Sequence, residues 1–207
     1  MNTALKSLLP ALLCAAGLLG PLRAAAVEVP PDVLVKTVTL EVVDLIAKDK
    51  EVKSSKAKLV SLIDAKVLPH FDFIAMTRLA VGPAWNKASA EQKKRLAEEF
   101  KSLLVHTYAS ALAAYSNQKF EFRPLRAKPA DTDVTVNVRV LQQGAQPVAI
   151  DYSMEKSAAG WKVYDMIVGG VSLVANYRTE FANKIQQNGI DGLIHDLEIK
   201  NRSLAGA

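Results

Sequence analysis

Cysteine is almost absent from this chain, because Cys14 is the only one among 207 residues. A single cysteine excludes an intramolecular disulfide and the zinc sites that are built from paired thiolates. The three histidines, His70, His106 and His195, are far apart in the sequence and form no metal-ligand motif. We therefore expect neither a metal site nor a bound cofactor.

The sequence also lacks the short motifs that mark common catalytic sites. It has no nucleophile elbow and no phosphate loop, and the Gly169-Gly170 pair lacks the rest of a dinucleotide-binding fingerprint. The net charge of +5 is small, and the basic residues are scattered rather than interleaved with aromatic ones. These features favour neither an enzyme nor a nucleic-acid-binding protein, and we expect no catalytic residue.

Residues 1–26 have the layout of a secretory signal peptide. Lys6 precedes an apolar stretch that runs from Leu8 to Leu22, and small residues at 24–26 provide a cleavage pattern. Prolines and glycines interrupt the apolar stretch, which is shorter than the ~20 residues of a membrane span. We predict cleavage after residue 26 and export of a single domain, residues 27–207; an uncleaved anchor is the alternative.

The remaining sequence has helical patterns first, strand patterns next and helical patterns last. The clearest helix follows Ser89, which forms a capping box with Gln92 and is followed by apolar residues at three- and four-residue steps for about 27 residues. Another helix is predicted from Val171 to about residue 187, ended by Gly189 and followed by a last helix.

Between these helices the hydrophobic period changes to two. Four strands are predicted, within residues 119–127, 132–142, 146–156 and 160–170, and the short breaks between them suit antiparallel neighbours. Each strand has one apolar and one polar face, as expected of a sheet that is covered on one side. The order of the elements predicts an α+β fold with an antiparallel four-stranded sheet wrapped by helices.

The segment WKVYDMIVGGVSLVANYRTEF, residues 161–181, has more apolar character than one side of a sheet requires. Apolar residues on the long helix, on the strands and on the helix after Gly170 could all face one interior, with methionines as an adaptable lining. Packed interiors leave few voids, so this composition permits a large apolar cavity without requiring one.

Asp165 is the one charged residue in this segment that could perform chemistry. A carboxylate among apolar residues can serve as a general base, as in isomerases or dehydratases with small pockets. The structural interpretation, which we favour, is that Asp165 accepts hydrogen bonds from backbone amides near the Gly169-Gly170 turn.

Four blocks of the sequence resemble one known family. They are VLPHFDFIAMTRLAVGPAW, SAEQKKRLAEEFKSLLVHTYASALAAY, WKVYDMIVGGVSLVANYRTEF and NGIDGLIHDL. Together they resemble the MlaC-type periplasmic phospholipid carriers of Gram-negative bacteria, also called toluene-tolerance auxiliary proteins.

The resemblance implies a cystatin/NTF2-like fold with additional N- and C-terminal helices that enclose an apolar cavity for acyl chains. It implies a monomeric periplasmic carrier that is not an enzyme. Such a carrier would move glycerophospholipid between an inner-membrane MCE-domain protein with its ABC transporter and an outer-membrane lipoprotein–porin complex, and thereby maintain outer-membrane lipid asymmetry. A periplasmic lipoprotein chaperone is a further alternative.

The resemblance also implies lipid-contacting residues. Tyr108, Val148 and Val171 match pocket-lining positions of the family. The period and phase of the predicted elements add a second group: Leu104, Leu112, Val136, Val138, Ile150, Tyr152, Val168, Val174 and Tyr177. Lys119, Arg123 and Arg126 could contact a partner, although charged residues of this kind are more often only solvated.

Overall fold

The computed structural model describes residues 28–114, 117–128 and 130–206. The N-terminal half is helical and contains α1 (Pro31–Lys48), α2 (Lys50–Ser54), α3 (Lys56–Lys66), α4 (Phe73–Val81) and α5 (Ala90–Ala114), with 3-10 turns at Leu68–His70 and Gly82–Lys87. Five strands follow: β1 (Lys119–Phe122), β2 (Asp133–Leu141), β3 (Val148–Ser157), β4 (Gly160–Val168) and β5 (Val171–Ser172). The chain ends with α6 (Leu173–Ala205).

The predicted α+β architecture is confirmed, and the predicted signal peptide lies outside the described residues. Within those residues, no helix is both long and apolar enough to cross a bilayer.

The strands form one antiparallel sheet in the order β1-β2-β3-β4-β5. The sheet has five strands rather than the predicted four, because Val171 and Ser172 pair with Val168 and Ile167. The last long helix therefore begins at Leu173 instead of Val171. Ser172 caps it, since its Oγ accepts a hydrogen bond of 2.9 Å from the Ala175 amide.

The capping box predicted at the start of α5 is present. The Gln92 amide donates to Ser89 Oγ at 3.1 Å, and the Ser89 amide donates to Gln92 Oε1 at 2.9 Å. These reciprocal bonds satisfy two backbone donors that a helix start leaves free. The boundary of α5 was therefore determined by its local sequence.

The predicted break at Gly189 is also present. Gly189 has φ 71° and ψ −176°, so α6 consists of two helical halves that meet there. Lys184 in the first half pairs with Asp196 in the second at 2.8 Å, which shows that the halves fold back on each other. A positive φ is readily adopted only by glycine, and Gly189 therefore permits the reversal.

Three groups of buried side chains hold these elements together. The first joins α4, α5 and α6 around Phe100, whose ring makes edge contacts with Tyr177 and Phe181. The second joins the start of α1 to the sheet, and the third joins α1, α3 and the C-terminal half of α5. One face of the sheet is thus covered by helices, while the other carries the exposed residues of β2.

Candidate functional site

A cavity of about 270 Å³ lies between the covered face of the sheet and helices α1, α3, α4 and α5. Among the described residues in its wall, only Thr39, His70, Tyr108 and Tyr152 have a polar side chain. No carboxylate, lysine or arginine is among those wall residues. An interior of this composition offers apolar contacts over most of its surface and few groups that could direct a chemical reaction.

A β-bulge determines which residues of β4 face the cavity. The pairing of β3 with β4 shifts between Ser153 and Met154, so that Tyr164 has no partner on β3. An extra residue reverses the alternation of side chains along a strand. The cavity-facing residues of β4 are consequently Val163, Met166 and Val168.

Asp165 lies on the opposite face of β4, and both oxygens of its carboxylate accept hydrogen bonds. Its Oδ1 accepts from the amides of Met166 at 2.8 Å and Val174 at 3.2 Å. Its Oδ2 accepts from Ser172 Oγ at 2.6 Å. Asp165 therefore links β4 to the β5 turn and to the start of α6, as the structural interpretation of the sequence predicted.

Six of the twelve residues that we predicted to contact lipid lie in the cavity wall. Three of them are on α5 and three are on β3 and β4: Leu104, Tyr108, Leu112, Ile150, Tyr152 and Val168. The structure thus brings together residues that are up to 64 positions apart in sequence. Whether these side chains contact lipid remains a prediction.

Four of the other six residues are packed away from the cavity. Val136 and Val138 face the same side of the sheet, but they are buried in the cluster that includes Val35 at the start of α1. Val174 and Tyr177 are buried in the helical cluster. Periodicity identified their apolar face correctly, but it could not indicate which neighbouring element covers that face.

The last two residues are at the end of the sheet. Val148 is half-buried and lies opposite Val140, which lines the cavity. Val171 is 56% exposed on the two-residue strand β5 and lies opposite Val168. Neither is in the cavity wall, although the partner of each is.

Sequence reasoning missed the contribution of the first and third helices. Their wall residues are Leu34, Val35, Val38, Thr39, Val42 and Val43 on α1, and Ile63 on α3, followed by Val67, Leu68 and His70. The apolar content of α1 could have indicated that this helix lines a cavity, because it exceeds the content of a helix with one buried face. The resemblance was least distinctive in this segment.

The tyrosine hydroxyls near the cavity are hydrogen-bonded to other hydroxyl groups. The hydroxyl of Tyr152 is hydrogen-bonded with Thr39 of α1, and burial raises the pKa of Tyr152 to about 12. Burial together with the neighbouring Tyr108 raises the pKa of Tyr177, also to about 12. Both tyrosine hydroxyls therefore stay protonated and uncharged at neutral pH.

Apart from the tyrosines, His70 is the only ionisable group in the described wall. Burial lowers the pKa of His70, and the nearby Lys162 cation lowers it further, whereas Glu41 has the opposite, smaller effect. A lowered pKa favours neutral imidazole at pH 7. The described part of the cavity wall therefore presents no net charge at neutral pH.

The sequence and the fold match known proteins. A sequence model described as "MlaC protein" matches residues 36–199. The toluene tolerance protein Ttg2D of Pseudomonas putida is 28% identical over 172 residues, which are 83% of this chain and 80% of that protein. The intermembrane phospholipid transport system binding protein MlaC of Haemophilus influenzae is 26% identical over 180 residues, 85% of this chain and 84% of that protein.

A solved structure extends the match to three dimensions. The phospholipid-binding protein of Ralstonia solanacearum, determined in complex with a phospholipid, superposes with a TM-score of 0.79 at 39% identity. The match covers 86% of this chain and 99% of that one. The likeness therefore extends over most of the chain in both sequence and fold, and on these grounds the chain belongs to the MlaC family.

Proposed function

We propose that this protein is a periplasmic phospholipid carrier that holds the acyl chains of a glycerophospholipid in the cavity between the sheet and α1. The proposal rests on the residues that the structure describes in the wall of this cavity, which are apolar apart from four side chains and carry no charge at neutral pH. The related Ralstonia protein was determined in complex with a phospholipid, which supports phospholipid as the cargo of this protein.

The energetics of a lipid in water explain why such a cavity is needed. Each methylene group that leaves an apolar environment costs about 0.8 kcal/mol, so a free phospholipid crosses an aqueous space very slowly. A carrier only has to match the apolar environment of the bilayer. A wall of aliphatic and methionine side chains, which contact chains of different shapes, suits that task better than a polar binding site.

The proposed route runs between the outer and inner membranes and maintains the lipid asymmetry of the outer membrane. On this proposal the partners are an inner-membrane MCE-domain protein with its ABC transporter and an outer-membrane lipoprotein–porin complex. The Haemophilus relative, named as a binding protein of an intermembrane phospholipid transport system, supports this assignment. The carrier acts as a monomer without catalysis, and residues 1–26 direct its export.

The twelve predicted lipid-contacting residues enter this proposal in three ways. The six in the wall contact the acyl chains directly. Val148 and Val171, at the end of the sheet, lie beside the cavity, whereas the four buried residues Val136, Val138, Val174 and Tyr177 support the wall from behind.

Native mass spectrometry of the exported protein, purified from periplasm without detergent, tests the proposal. We expect a mass that exceeds the polypeptide by one phospholipid at fixed stoichiometry, and lipid extraction then identifies the cargo. A protein without lipid would contradict the carrier assignment. A bound polypeptide in place of lipid would support the chaperone alternative.

A further inference from the structure

The edge of the sheet formed by β1 has an excess of positive charge, although Glu121 lies opposite Arg139 in the pairing of β1 with β2. Five exposed basic residues, which we call the basic strip, lie on β1, on the segment that follows it and on the adjacent part of β2: Lys119, Arg123, Arg126, Lys128 and Arg139. In the part of the chain that the structure describes, none of the five is in an ion pair.

Other basic residues of the protein do have acidic partners. Lys66 pairs with Glu41 at 2.6 Å, Arg95 with Glu198 at 2.5 Å and Lys156 with Glu28 at 2.6 Å. Within residues 119–128 the only acidic residue is Glu121. Most of the positive charge of the basic strip is therefore available to an external group.

The backbone of β1 is available as well, because β1 is the first strand of the sheet. The Arg123 amide donates to the Asn137 carbonyl of β2 at 3.1 Å. Hydrogen bonding alternates along an antiparallel strand, so the backbone amide and carbonyl of Glu121 also point toward β2. The backbone amides and carbonyls of Phe120 and Phe122 therefore point away from the sheet. These two residues offer hydrogen-bonding groups that suit an additional strand.

From the charge and the open backbone together, we propose that β1 and the basic strip form the docking site of an acidic segment of a partner protein, which adds to β1 as a further strand. The inference rests on the proposed function, since the partner would be a membrane-bound component that exchanges phospholipid with this carrier. Docking here would be adjacent to the cavity, because the Phe120 side chain lines it.

A protein partner fits this surface better than a membrane does. The rings of Phe120 and Phe122 stack with each other, with centroids 6.4 Å apart, and pack into the sheet cluster. The basic strip thus has no outward aromatic side chain of the kind that anchors proteins at a bilayer interface. Lipid headgroups also do not match the regular spacing of strand amides and carbonyls.

Binding of the full exported protein to the soluble domain of the proposed MCE-domain partner tests the inference. The first variant reverses three charges of the strip, Lys119→Glu/Arg123→Glu/Arg126→Glu. The matched control, Lys53→Glu/Lys87→Glu/Lys94→Glu, changes the net charge equally at three other exposed positions that are in no ion pair among the described residues. Binding is measured by calorimetry at low and high salt, and amide hydrogen exchange is measured by NMR in the free and bound states.

We expect the strip variant to bind at least about tenfold more weakly than the wild type, and the control to bind within about twofold of it. The amides of Phe120 and Phe122 should exchange quickly in the free protein and slowly in the complex. Equal binding by both variants would overturn the proposal, and so would binding without slower exchange at these two amides.

Vesicles distinguish a membrane from a protein partner. Flotation with phosphatidylglycerol vesicles and with phosphatidylcholine vesicles should show no binding that depends on the basic strip. Strip-dependent binding to the anionic vesicles alone would overturn the proposal in favour of a membrane surface. The bound phospholipid of the strip variant should equal that of the wild type, so a failure to dock is distinguishable from a failure to carry lipid.

Discussion

Asp165 Oδ2 accepts a hydrogen bond of 2.6 Å from Ser172 Oγ, and this contact fixes the end of the sheet to the start of α6. Ser172 Oγ in turn accepts the Ala175 amide, so one side chain both caps the helix and holds the carboxylate. The relationship explains why a carboxylate occurs in a largely apolar strand, and it places Asp165 in a structural role outside the cavity.

Replacing Asp165 should therefore reduce stability without removing cargo. Asp165→Ala leaves the amides of Met166 and Val174 and the Ser172 hydroxyl without their acceptor, and hydrogen bonds to a charged group are worth roughly 1.5–3 kcal/mol. We expect a loss of about that size in the free energy of unfolding, measured with urea.

Asp165→Asn is the milder variant, because its side-chain oxygen can still accept one amide. We expect it to retain bound phospholipid, as measured by native mass spectrometry. An Asp165→Asn protein that folds normally but has lost its lipid would contradict the structural role.

A charge inside the cavity should prevent lipid binding. Ile150 is 9% exposed and lines the cavity, whereas its neighbour Ala149 is exposed on the opposite face of β3 and lies opposite Arg139. A carboxylate at Ile150 would oppose the acyl chains, because burying an unpaired charge is very unfavourable. We expect Ile150→Glu to lose its copurified phospholipid and Ala149→Glu to retain it.

Val168→Glu provides a second test if Ile150→Glu fails to fold, because Val168 is only half-buried while it still lines the cavity. Circular dichroism verifies the fold of each variant before its lipid is measured. Full lipid content in a folded Val168→Glu protein would show that the acyl chains lie elsewhere.

A substitution at Val171 tests whether the acyl chains pass the end of the sheet. Because Val171 lies opposite Val168 in an antiparallel pair, its side chain is on the cavity side of the sheet, although it is 56% exposed. Val171→Glu should change the free energy of unfolding by no more than about 0.5 kcal/mol, as is usual for an exposed position. We expect it to abolish lipid retention, and wild-type lipid content would place Val171 away from the path of the chains.

The buried tyrosines predict how stability depends on alkaline pH. The pKa of Tyr152 and that of Tyr177 are both about 12 in the folded protein, against about 10 in an unfolded chain. Between these values the unfolded chain releases protons that the folded protein retains, so the free energy of unfolding falls as the pH rises from about 10 to about 12.

Tyr152→Phe removes one of these two groups. Its free energy of unfolding should therefore decline less steeply over this pH range than that of the wild type. Urea unfolding at about pH 9 and about pH 11 measures the two slopes. Equal slopes for the two proteins would show that Tyr152 is not protected from ionisation by the fold.

Several features of this protein were determined by the sequence alone, because each depends on residues that are close together in the chain. The capping box of Ser89 and Gln92 places the start of α5, Gly189 divides the last helix, and the alternation in β2 identifies its buried face. The hydrogen-bond donors to Asp165 are similarly close in the chain, because they are the Met166 amide, the Ser172 hydroxyl and the Val174 amide. Local hydrogen bonds and periodicity contain all the information that these features need.

Only the tertiary structure decided which apolar residues face the cavity. The bulge at Tyr164 reverses the alternation of side chains along β4, and no local sequence pattern predicts that reversal. Val138 and Val140 are on the same face of β2, yet only Val140 lines the cavity, because the start of α1 packs over the sheet cluster that contains Val138. A residue that is packed against another element and a residue that lines a cavity are both apolar. The sequence does not distinguish them, because the packing of distant segments decides which of the two a residue becomes.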